Sequence, residues 1–156
     1  MLTKDIIELI NEKEFISIAT CDFDGRPNAA PKFILKIDGK SLYLVDYIIG
    51  RTYANLKINP RVSLSLFNPH TLIGYQLNGA AVIIDKGAEY KKLSSEMENK
   101  LVRLTAQHII EEVRGGHKHE NFEVSIRSKF IIIKVTLEET VAICPQGKVE
   151  RGAVEK

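Results

Sequence analysis

"FISIATCDFDGRPNAAPKFILKIDGKSLYLVDYIIGRTYANLKINPRVSLSLF", residues 15–67, decides the fold. In "FISIATC" (15–21), Ile16 and Ile18 sit two residues apart, the period of a strand with one buried face. "DFDG" (22–25) supplies turn residues, and "PNAAPKFILKI" (27–37) is a second extended segment. Pro27 and Pro31 bring no N–H to a ladder, so an edge position or a bulge is expected near them. "DGK" (38–40) is a tight hairpin turn, after which "SLYLVDY" (41–47) returns as a third strand. Asn59-Pro60 stops a short helix that begins near Arg51, and "RVSLSLF" (61–67) is a fourth strand.

Working outward, "MLTKDIIELINEKE" reads as an amphipathic helix. Thr3 serves as N-cap, Leu2 and Ile7 as a hydrophobic staple, and Ile6, Leu9 and Ile10 as the buried stripe. "IGYQLNGAAVIID" (73–85) is a fifth strand. A helix from Ala88 to about Val113 carries Leu93, Met97, Leu101 and Leu104 on one face. "RGGHKHEN" (114–121) reads as a loop, "KFIIIKVTLEETVAI" (129–143) as the last strand, and "CPQGKVERGAVEK" (144–156) as a polar tail, frayed or held by a partner. The early connections are far too short for parallel crossovers, which leaves an antiparallel sheet of six strands curled into a barrel, with helices outside. The fold class is therefore mainly β, with flanking helices.

At 156 residues the chain suits one domain spanning 1–156. Its 22 basic and 20 acidic residues leave a net charge of +2, with no broad electrostatic footprint for nucleic acid. Any cationic site must be local. Cys21 and Cys144 match no metal or redox spacing, and the reading adopted is two free thiols. The absence of a leader-like segment and of any apolar run long enough to span a bilayer gives the expectation of a cytoplasmic protein without membrane contact.

Gly50-Arg51-Thr52 is where chemistry could enter. Glycine allows a sharp turn, the short helix after it offers unpaired N–H groups, and Arg51 can add a charge-assisted pair of hydrogen bonds to a phosphate. From these residues alone, the plainer reading is a capped helix beside a solvated arginine.

The order of parts adds more. A helix, a strand ending in "AT", "DG-P" before the second strand, then "DGKSLYLV", "GRT-AN" and "NPRVSLSL" together resemble the FMN-binding split-barrel family related to pyridoxamine 5′-phosphate oxidase. The resemblance is strongest over residues 2–86. It implies a six-stranded split barrel that forms a homodimer, with FMN in the grooves between subunits. It also implies that Arg51 and Thr52 hold the phosphate, with Asn55 one turn later beside them. Pro31, Lys32 and Phe33 would pass along the isoalloxazine. Val45, Asp46 and Tyr47 would line the ribityl side, and Gln76 would reach in from the other subunit.

Each residue also has a plainer reading. Val45 is first a core residue, Tyr47 a packing residue with a wet hydroxyl, and Gln76 a partner for neighbouring polar groups. Lys32, in an apolar strand, would face solvent or, at a subunit groove, balance an anionic reduced flavin.

Pyridoxamine phosphate oxidases carry two consecutive basic residues where this chain has Arg51-Thr52, an arginine where it reads "NAAPKF", and a C-terminal substrate-binding segment that "AICPQGKVERGAVEK" does not match. Vitamin B6 oxidation is therefore not expected. What remains is an FMN-dependent oxidoreductase with an unassigned substrate and a donor such as NAD(P)H. Set against it is a non-catalytic flavin or haem carrier, since some relatives bind haem through histidine.

His117 and His119 lie in a glycine-rich loop and His108 on the helix before it. They lack the cysteines or carboxylates that would complete a metal set, and a solvated loop is the adopted reading. His70, after the fourth strand, is a weaker candidate for the flavin mouth. A cofactor-free barrel binding a polyanion ranks last, because the aromatics are scattered rather than banded. The run Leu77 to Ile84 is more apolar than one barrel interior would bury, a physical reason to expect the homodimer.

Overall fold

The computed structural model describes residues 2–47, 49–115 and 129–154. Helix α1 (Lys4–Glu12) starts on Thr3, whose hydroxyl accepts from the Ile6 N–H at 3.4 Å, and it buries Ile6, Leu9 and Ile10. Strands β1 (Phe15–Cys21), β2 (Pro27–Asp38) and β3 (Ser41–Asp46) follow in antiparallel succession, then α2 (Arg51–Ile58), β4 (Arg61–Asn68) and β5 (Ile73–Ile84). The long α3 (Gly87–Gly115) leads to β6 (Ile131–Ile143) and β7 (Val149–Ala153).

Six strands close on themselves. β1 pairs with β2 and β4, β4 with β5, β5 with β6, and β3 with β6 over residues 41–46 and 131–136, so no edge remains within the ring. The barrel is split because β6 outlasts β3: its second half leaves β3 and continues between β5 and β7. At the split, β5 and β6 shift register after Asn78, and the backbones approach so closely that a Cβ on Gly79 would collide with the Thr136 carbonyl.

The prolines behave as their chemistry requires. β3 pairs with β2 only from Phe33 onward, so Pro27 and Pro31 lie in the part of β2 that is laddered on one side. A bulge between Ile34 and Lys36 puts Leu35 and Lys36 both toward α3, and Lys100 of α3 caps it. Its Nζ donates to the Ile34 and Leu35 carbonyls at 2.7 and 3.0 Å.

Two apolar clusters result. Alternate residues of the strands fill the barrel, including Ile16, Ile18, Leu64, Leu77 and Ile133, and α1 and Leu56 of α2 pack into the same cluster. Outside, Phe33, Leu35, Tyr43, Val45 and Ile132 are covered by Leu93, Met97 and Leu101 of α3. The outward side chains of β1 and β4 stay mostly exposed.

The C-terminal tail is a correction. Instead of fraying, residues 144–148 form a turn with Gly147 at φ 78°, and β7 adds to β6 from Ile143↔Val149 to Glu139↔Ala153. Val154 then closes on the barrel core, its N–H donating to the Glu138 carbonyl at 2.8 Å. All five residues of β7 are exposed, so its pairing is backbone-driven and leaves no apolar alternation to read.

Candidate functional site

Gly50 precedes α2 without any side-chain cap, and its carbonyl accepts from the Ala54 N–H at 3.1 Å. The first-turn N–H groups therefore lack a capping side chain and mark the positive end of the helix. Arg51, the first residue of α2, is exposed, and among the described residues its guanidinium forms no ion pair.

Thr52 and Asn55 take a different course. Their spacing places both on the face of α2 that packs against β1 and β2, and each is 3% exposed. Asn28 of β2 donates to the Thr52 hydroxyl at 3.1 Å, and Asn55 donates to the buried Thr20 hydroxyl of β1 at 3.0 Å. Asn28 also reaches Thr20 at 3.4 Å, and Asn59 at the end of α2 donates to the Cys21 sulfur at 3.1 Å. This network docks α2 and fixes where Arg51 stands. The side chains of Thr52 and Asn55 thus face the protein. The sequence reading missed Thr20, Asn28 and Asn59. The available signal was a threonine at an inward position of a strand otherwise alternating isoleucine.

Lys32 also turns inward. It lies opposite Ile16, Asp46 lies opposite Ile131, and the two form an ion pair of 2.8 Å with side chains 8% and 2% exposed. A lysine at this point of β2 can be buried only beside a counter-charge, and β3 supplies one. The expectation of a solvent-facing lysine is therefore corrected: Lys32 is buried and Asp46 meets its charge. Its neighbours divide, Pro31 being exposed while Phe33 packs under α3 and against Phe15 at 5.6 Å. Val45 is buried in the same outer cluster. Tyr47 is half-buried with its ring 6.0 Å from Phe130, and burial pushes its phenol up from the ordinary 10.0.

Gln76 marks a second locus. The registers line up residues across the outer face in rows: Pro31, Ser17, Ser65, Gln76, Val141, Arg151 in one, and Gly74, Ile143, Val149 with the adjacent Phe67 in the next. Small side chains in the middle of these rows leave a concavity of about 310 Å³, lined by Ser17, Ala19, Ser63, Ser65, Gly74, Tyr75, Gln76 and Ile143. Gln76 donates to Ser63 Oγ at 3.0 Å. Exposed Phe67, Ile143 and Val149 form an apolar border, with Phe15 on β1 also exposed. Further along, Asn78 donates to Glu139 at 2.7 Å and Arg151 lies 3.3 Å from the same carboxylate. Asn78 first, then Arg151, hold the Glu139 carboxyl below the usual range.

Among the described residues no group of three His, Cys, Asp or Glu could hold a metal ion, and no helix is long and apolar enough to cross a membrane. Both cysteines are free thiols. His70 is exposed in the β4–β5 turn, its N–H donating to Asn68 Oδ1 at 2.9 Å. His117, His119 and the His108 side chain lie outside the described residues.

The match that decides the family covers nearly the whole chain: residues 2–144 fit the family model of pyridoxamine 5′-phosphate oxidase. The chain belongs to that family. Among solved structures, HupZ of Group A Streptococcus matches with a TM-score of 0.67 at 20% identity, over 93% of this chain and 96% of that one. A pyridoxamine 5′-phosphate oxidase-related, FMN-binding protein of Nostoc punctiforme matches at 0.58 and 11%, over 100% of both chains. HutZ, the heme storage protein of Vibrio cholerae, matches at 0.60 and 19%, over 88% of this chain and 90% of that one. These likenesses show the fold, a six-stranded antiparallel barrel with flanking helices. No match to a curated protein was found.

Proposed function

We propose that this member of the pyridoxamine 5′-phosphate oxidase family is an FMN-binding oxidoreductase. It acts as a cytoplasmic homodimer, with the flavin in the groove between two copies and a substrate other than pyridoxamine phosphate. The observation that carries the reading is Arg51, an exposed guanidinium on the uncapped first turn of α2, held in place by the buried Thr20–Asn28–Thr52–Asn55 network. A cation beside unpaired N–H groups is the donor set a phosphate monoester requires. Arg51 and the N–H groups of that turn would hold the phosphate. The backbone at Pro31, Lys32 and Phe33, together with Asp46 and Tyr47, would border the remainder.

Bound there, FMN would supply hydride and electron transfer, which no side chain provides. The protein's share is binding, orientation and shielding. The exposed row of Phe67, Ile143 and Val149 is the surface that a second copy would cover.

The alternative is a non-catalytic carrier of flavin or haem, and the fold shared with a heme storage protein keeps it in view. The absorption spectrum of the purified protein separates the two cofactors. Flavin bands that bleach with NAD(P)H and recover with an acceptor support the oxidoreductase. Flavin bands without turnover support the carrier, and a haem spectrum overturns the flavin reading. Sedimentation as a monomer at micromolar concentration would contradict the dimer.

A further inference from the structure

We propose that Lys100 is a positioning residue for the flavin: by holding the β2 bulge it sets the course of the backbone at Pro31, Lys32 and Phe33. The inference rests on the flavin reading and adds to it a residue from α3, an element which that reading does not use.

Phe33 is where β2 loses its second neighbour. Its partner Val45 makes the last rung between β2 and β3, and Asp46 then pairs with Ile131 of β6 instead. From Lys32 back to Pro27, β2 keeps the ladder to β1, while among the described residues its other edge meets no strand. That open edge is the backbone the isoalloxazine would lie along.

The bulge just beyond the last rung sets the direction in which this edge departs from β3. Leu35 drops out of the pairing between Ile34↔Leu44 and Lys36↔Tyr43. An inserted residue bends its strand and raises the local twist, so a change at the bulge swings the backbone beside it.

Lys100 grips the bulge from α3. Its Nζ donates to the Ile34 carbonyl at 2.7 Å and the Leu35 carbonyl at 3.0 Å, and lies 5.3 Å from the centre of the Phe33 ring. The Ile34 N–H donates to the Glu14 carbonyl at 2.8 Å, so that residue is held from both sides. Burial lowers the Lys100 pKa from 10.5, with Arg103 acting in the same direction and Glu14 opposing. Taking an ammonium out of water carries a cost, which the two carbonyls and the ring offset. Docking of α3 does not call for it, since Leu93, Met97 and Leu101 already bury against these strands.

The test titrates FMN and riboflavin into the purified protein. Lys100→Met should weaken both by the same factor, roughly 10-fold, the worth of about one misplaced hydrogen bond. Lys100→Arg should keep both affinities, because a guanidinium can still donate to the two carbonyls. Met97→Ala should lower the urea midpoint and leave both affinities unchanged, which separates positioning from stability. Lys100→Gln replaces Lys100→Met should the latter fail to fold. Amide hydrogen exchange over residues 33–36, measured without flavin, should quicken in Lys100→Met. Unchanged affinities in Lys100→Met overturn the proposal, as does a loss confined to FMN or an equal loss in Met97→Ala. If the unaltered protein binds neither flavin, the flavin reading falls; quickened exchange would then leave Lys100 a structural clamp alone, and this inference falls with it. Flavin binding that ignores Lys100 sinks this inference and spares that reading.

Discussion

The Lys32 ammonium lies 2.8 Å from Asp46 Oδ1 inside the barrel, one side chain from β2 and the other from β3. Removing one member strands a buried charge, so Asp46→Ala should cost about 3–5 kcal/mol. The double variant Lys32→Met/Asp46→Leu should recover most of that loss, because an apolar pair carries no desolvation penalty. Urea unfolding at pH 7 measures both. A double variant as unstable as the single one would show that the pair does more than neutralise itself.

β7 should contribute to the fold rather than decorate it. Val154 is 8% exposed in the barrel cluster, and Val154→Ala should lower stability by about 1–3 kcal/mol. Ending the chain after Gly147 should cost more, since it removes both the anchor and the ladder on β6. Thermal melts that leave the truncated form unchanged would mean that β7 does not hold in solution.

Much of the barrel was legible because its code is local. Ile16 and Ile18, or Val62, Leu64 and Leu66, alternate with polar residues, and Asp38-Gly39-Lys40 dictates a hairpin. β7 was not legible, since Val149, Glu150, Arg151, Gly152 and Ala153 all face solvent and pair only through backbone. Lys32 and Asp46 were legible as strand residues but not as a pair, because nothing local says that two strands bring opposite charges to one interior point. The family resemblance implies that Thr52 and Asn55 face a phosphate. Their burial depends on Thr20 and Asn28, which come from two other elements. Arg51 needed least context, since an arginine directly after a glycine at a helix start has few inward options.

The half-buried Tyr47 gives a pH dependence of known sign. Its phenol pKa is raised from 10.0 by burial, so the folded protein holds the proton where the unfolded chain releases it. The associated stability is complete below about pH 10 and is lost as pH rises through the folded value. Tyr47→Phe should therefore unfold less steeply between pH 10 and 11 than the unaltered chain, as followed by circular dichroism at fixed urea. Parallel curves would contradict this.

Gly79 has no room for a side chain, since a Cβ would meet the Thr136 carbonyl where β5 and β6 shift register. Gly79→Ala should cost about 1–3 kcal/mol, while Gly74→Ala, with its nearest neighbour 3.9 Å away, should be nearly neutral. Comparing their denaturation midpoints checks the bulge directly, and equal midpoints would contradict the close approach.

The most direct measurement is a pair of titrations, FMN and riboflavin, against the unaltered protein and Arg51→Ala. If Arg51 grips the phosphate, the variant should bind FMN roughly 10- to 100-fold more weakly, the loss of one or two charge-assisted hydrogen bonds. Riboflavin, which has no phosphate, should bind both proteins equally. Undiminished FMN affinity in Arg51→Ala, or an equal loss for riboflavin, would contradict the account.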